Sequence, residues 1–86
     1  MKNKYRNISA STLIKTGFGT VSAIIVNSHS TGTIKLWDNT SAAGTVICNT
    51  ITFATGERVI DLKEISFNTG LYATIGGTAD VTIVYS

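Results

Sequence analysis

Hydrophobic and polar residues alternate in short runs along this 86-residue chain, and no stretch keeps the 3.6-residue spacing of an amphipathic helix. The runs predict strands. A weak one spans 4–8, TLIKT (12–16) follows, and TVSAIIVN (20–27) is the strongest. In that last run Val21, Ala23 and Ile25 point one way and Ser22, Ile24 and Val26 the other, so both faces are apolar at the centre. Such a strand is expected to lie centrally or under a neighbouring chain. TIKLWD (33–38) sends Ile34 and Leu36 to one face and Lys35 and Trp37 to the other. TVICNTITF (45–53) sets Ile47, Ile51 and Phe53 against Val46 and Cys48, and its alternation slips near Asn49, where a bulge or bend is expected. ERVIDL (57–62) offers two faces of which either suits a core. LYATI (71–75) and ADVTIVY (79–85) flank Gly76-Gly77, which predicts a tight hairpin because paired glycines supply the positive φ of primed turns. Residues 27–32 read as a turn on composition.

About eight short strands at roughly 8–12-residue spacing predict an all-β fold, a small antiparallel sandwich of jelly-roll or Greek-key kind, with an open barrel as the alternative. Composition agrees: Thr occurs fourteen times and proline never, and the Thr, Val and Ile that dominate suit a pleated, half-buried surface. Four Thr-Gly pairs, at 16–17, 31–32, 55–56 and 69–70, read as turn punctuation rather than as a repeated domain. The length allows one small domain burying roughly 60–65% of its unfolded surface, with a net stability of about 4–13 kcal/mol.

The formal net charge is +2 and only 14% of residues are charged. Three of the basic residues, Lys2, Lys4 and Arg6, crowd into the first six positions. The expected organisation is therefore a basic arm over 1–8 and a single β-sandwich over 9–86, with Lys2, Lys4, Tyr5 and Arg6 as candidate partner contacts. The rest of the chain lacks the basic patch that nucleic-acid binding leaves. No run approaches the ~20 apolar residues of a membrane helix, and no segment has the form of a signal peptide, so synthesis in the cytoplasm is expected. Cys48 is the single cysteine, which rules out an intrachain disulfide and a cysteine-rich metal site.

Catalytic chemistry needs a nucleophile with a base, paired carboxylates or a multiply liganded metal. His29 is the only imidazole and reads as a solvated loop residue, while Cys48 reads as a small buried hydrophobe rather than its nucleophilic partner. Asp38, Glu57, Asp61, Glu64 and Asp80 fall at strand edges and turns. The expectation is no enzyme, with no catalytic, cofactor-binding or metal-ligating residues and no cofactor. One polar cluster is suited to binding: Trp37, with Asp38, Asn39 and Tyr72, has the aromatic and polar character of a sugar platform. Burial of Trp37 against a partner subunit is the competing expectation and the favoured one.

Two runs, SASTLIKTGFGTVSAIIVNSHSTGTIKLWDNTSAAGTVI and ISFNTGLYATIGGTADVTIVYS, resemble a group of small structural proteins of tailed bacteriophages. The likeness spans residues 9–86 and is most specific at 32–38 and 70–82. It implies a virion component, in the first place a capsid decoration (cement) protein: a small β-sandwich that sits as a homotrimer on the major capsid protein or another virion protein. A place at the neck, tail or fibre base is the close alternative. It carries no catalytic residue to this chain, and it implies localisation in the virion after synthesis in the host cytoplasm, with no nucleic acid or membrane as partner and a glycan as the minor alternative.

Overall fold

The structure is a computed structural model that describes residues 4–56 and 58–86. Six strands follow one another: β1 (Lys4–Ile8), β2 (Thr12–Thr16), β3 (Gly19–Asp38), β4 (Thr45–Thr52), β5 (Val59–Phe67) and β6 (Gly70–Tyr85). All are joined in one open antiparallel sheet, and the described residues form no helix. The two long strands, β3 and β6, lie side by side along their length, from Val21↔Tyr85 to Trp37↔Tyr72. The four short strands flank them. β5 and β1 border one half, giving the order β5-β3-β6-β1, and β4 and β2 border the other, giving β4-β3-β6-β2.

The expected count of about eight strands comes down to six because two pairs of expected strands are continuous. Residues 27–32, with the composition of a turn, stay in β3: Ser28, His29 and Ser30 pair with Asp80, Ala79 and Thr78. Gly76-Gly77 is likewise inside β6 and makes no hairpin. Pairing across these polar segments satisfies their backbone groups as well as a turn would. The glycines serve close approach and bending instead: Gly77 has φ +66° and faces the Thr31 carbonyl, Gly76 faces the Thr33 hydroxyl, and the register shifts between Ser30 and Thr33.

One face of the sheet is apolar from end to end. Ile24, Ile34 and Leu36 of β3 and Leu71, Val81 and Ile83 of β6 are fully buried on it, and Ile8, Ile14, Leu62 and Phe67 close the same cluster. An isolated flat sheet leaves both faces wet, so burial of this face within one chain requires the sheet to curve over it. The bulges in β3 permit that curvature. A further shift between Val21 and Ala23 places Ser22 as the extra residue. The buried set is therefore Val21, Ile24 and Val26, and the strict alternation expected for this strand is broken. The slip near Asn49 is present, as a shift between the pairs Ile34↔Ile51 and Leu36↔Cys48. The expected strand at 57–62 begins at Val59 and runs on to Phe67 through Lys63 and Glu64, both at positive φ, with the Asp61 carboxylate accepting from the Lys63 N–H at 2.9 Å.

Candidate functional site

Trp37 lies on the outer face, as the alternation of TIKLWD requires. Its neighbours across the sheet are Val46 on β4 and Tyr72 on β6, and Leu13 on β2 pairs with Tyr72. Four apolar or aromatic residues thus line up over all four strands of this half. The indole is half-buried. Its N–H donates to the Thr74 hydroxyl at 2.9 Å, and the Lys35 ammonium sits 4.4 Å from the ring centroid, a cation–π contact.

The polar residues expected beside Trp37 are committed elsewhere. Asp38 accepts backbone N–H bonds from Asn68 at 3.0 Å, Thr69 at 2.8 Å and Gly70 at 3.4 Å, and so holds the loop between β5 and β6. Asn39 donates to the Ala43 carbonyl and accepts from the Thr40 N–H, both at 2.7 Å. A sugar platform at Trp37 thereby loses both of its expected polar partners. The Thr69 N–H is the main reason that the Asp38 carboxyl lies below its ordinary value of 3.8; burial opposes the shift, and the Asn68 and Gly70 N–H groups add to it. A carboxylate with a depressed folded pKa stabilises the fold above its unfolded pKa and loses that effect as the pH falls through the folded value. Asp38→Asn is expected to lower the stability at neutral pH by about 1–2 kcal/mol. In urea titrations across pH, the gap between wild type and variant should close as the pH drops below 3.8; a gap that stays constant with pH would refute the role.

His29 is a strand residue, not a solvated loop residue. Its ring packs against Phe53 with centroids 5.5 Å apart, Nε2 lies 2.9 Å from the Ala54 carbonyl, and Nδ1 is buried without a hydrogen-bond partner among the described residues. With a carbonyl as its neighbour, Nε2 is the donor, and His29 ties the segment after β4 to the bend of β3. Beside it opens a cleft of about 440 Å³ between residues 26–31 and Thr55, Gly56 and Arg58.

Of the expected arm, Lys2 lies outside the described residues. Lys4, Tyr5 and Arg6 belong to β1, the edge strand paired with β6 from Lys4↔Tyr85 to Ile8↔Val81. The expected boundary at residue 8 therefore cuts through the sheet, because buried Ile8 makes β1 part of the core. All three side chains are exposed. Sequence reading passed over the neighbouring Asn7, whose amide donates to Asp80 at 2.7 Å, while Asn27 reaches the same oxygen at 3.2 Å and both amides lie within 3.3 Å of the Thr82 hydroxyl. No local signal joins residues 73 and 53 positions apart.

Cys48 is half-buried on β4 and burial raises its thiol pKa, which suppresses the reactive thiolate. Among the described residues no group of three or more His, Cys, Asp or Glu side chains could hold a metal, and no helix is long and apolar enough to cross a membrane. No protein-family model matches this chain. No curated protein matches it, and no solved structure does.

Proposed function

We propose that the chain is a non-enzymatic structural protein of a phage virion, a capsid decoration protein that binds the outer shell as a homotrimer. In this reading the two halves of the curved sheet act as the layers of a small sandwich. The observation that carries it is the outward row of Val46, Trp37, Tyr72 and Leu13. A small domain that leaves such a row on one face gains by covering it with a partner, and the extra buried area stabilises both members by mass action. Lys35 over the indole shields the row until the partner arrives. The resemblance at 32–38, which contains Lys35 and Trp37, and at 70–82, which contains Tyr72, falls on the same strands.

The test is the mass of the purified protein by light scattering, followed by its binding to virions stripped of it. A trimer that rebinds heads, and a Trp37→Ala variant that remains folded but is monomeric and does not rebind, is the expected result. A monodisperse wild-type monomer without affinity for virions would sink the reading, and binding to tails alone would overturn the capsid placement.

A further inference from the structure

We infer that the outer face of the other half, β5-β3-β6-β1, carries a binding site for a neutral oligosaccharide, extending from Tyr5 over Asn7, Asp80 and Asn27 to the cleft at the sheet edge that Arg58 helps to wall. The site does not depend on the assembly reading, because it uses none of the Trp37 row.

A bulge builds its centre. The register of β3 against β6 shifts between Val26 and Ser28, which makes Asn27 the extra residue, and a bulge re-aims the side chain it carries. Asn27 is turned onto Asp80 and Thr82, and Asn7 meets the same pair from β1. Both amide NH₂ groups are spent inside this array. The two amide carbonyl oxygens and the second Asp80 oxygen have no partner among the described residues, so the array presents a row of acceptors held at fixed spacing by three strands.

Two further groups flank that row. Tyr5 shares the outer face of β1 with Asn7, about 7 Å away at two-residue strand spacing. Tyr5 is 76% exposed and offers a flat apolar ring to solvent. On the opposite side the cleft of about 440 Å³ begins at Asn27 and is walled by Thr55, Gly56 and Arg58. The Arg58 carbonyl accepts from the Val26 N–H at 2.7 Å, which fixes this residue against β3 beside the bulge. Arg58 thus sits opposite Val26 at the edge of the sheet; its guanidinium has no partner among the described residues and adds donors to the cleft that Asn27 also lines.

The chemistry follows from this balance. One carboxylate within the array and one guanidinium in the cleft beside it favour neither a cation nor an anion. Acceptors and donors together match hydroxyl groups, each of which donates once and accepts. An exposed aromatic ring beside planar polar side chains suits the alternating apolar and polar faces of a pyranose, and the cleft volume lies within the 300–1,000 Å³ usual for ligand sites. The extended layout, from β1 across to Thr55, Gly56 and Arg58, suits a chain of sugars rather than a single one.

The test is NMR titration of the whole protein with maltohexaose, cellohexaose and chitohexaose in turn, up to about 10 mM, since shallow sites bind near 1 mM. At least one should give saturable shifts in the Asn7 and Asn27 side-chain amides and in the backbone at 5, 58 and 80. Tyr5→Ala and Arg58→Gln, both at exposed positions, should leave the melting temperature unchanged and weaken that binding about ten-fold each. Absence of shifts with all three sugars, shifts confined to the surface around Trp37, shifts with calcium alone, or affinity unaltered in both variants would overturn the site and leave the array a staple of the sheet.

Discussion

Gly77→Val should abolish the cooperative thermal transition of this protein. Gly77 lies in the interior of β6 with φ +66°, a conformation that costs an L-residue about 1–2 kcal/mol and a β-branched one more. The clash is worse than the strain. A Cβ at this position falls on the carbonyl oxygen of Thr31 and within 3.0 Å of its carbon. Thr31 has little room to give, since it is itself at φ 52°, already an uncommon conformation for a β-branched residue. Relief requires one backbone to leave the other at the bend, where β3 and β6 must stay paired for the sheet to curve over its apolar face. Together the losses are expected to reach about 4 kcal/mol or more, comparable with the whole stability of a chain this size. Gly76→Ala is the internal control: its Cβ meets the Thr33 hydroxyl, a side-chain group that can rotate. Circular dichroism melts of the two variants should differ sharply, and equal, small losses would refute the account.

Removing residues 1–8 should destabilise the protein by about 3 kcal/mol, a result opposite to that expected of a solvated basic arm. The deletion takes away buried Ile8, worth about 2–3 kcal/mol of burial, and the whole β1 ladder against Val81–Tyr85. It also strips Asp80 of its shorter bond, from Asn7 at 2.7 Å. The regained chain entropy of a short edge strand offsets part of this. Urea unfolding monitored by tryptophan fluorescence reads the change directly. A midpoint unmoved by the deletion would restore the arm.

The same segment shows where pattern reading stops. KYRNI has three polar or charged residues in five, and its basic charge marks it as a terminus; yet an edge strand needs only one buried side chain, here Ile8, to be held. Period alone identified TIKLWD correctly, because Ile34 and Leu36 face a core and Lys35 and Trp37 do not, and that alternation is written in adjacent residues. It identified the slip near Asn49 for the same reason. It failed at 27–32 and at Gly76-Gly77, where the residues that make turns are also the residues that let two strands bend together. It failed at His29 because a ring against Phe53 and a bond to Ala54 join residues from different strands and loops.

The candidate site divides in the same manner. That Trp37 faces outward follows from its neighbours in sequence; that Asp38 and Asn39 are unavailable to a ligand follows only from where the loops at 39–44 and 68–69 lie. The Asn7–Asp80–Asn27 array is legible nowhere along the chain. By itself, then, the sequence determined an all-β protein, the inward and outward faces of its best strands, and a chain with a single histidine and a single cysteine. The tertiary structure decided that two strands run unbroken through the bend, that the N-terminal residues belong to the sheet, and which distant polar groups meet. The reason is physical: side-chain period is set by the local backbone, whereas strand pairing is set by which edges and apolar faces compete best for one another across the whole chain.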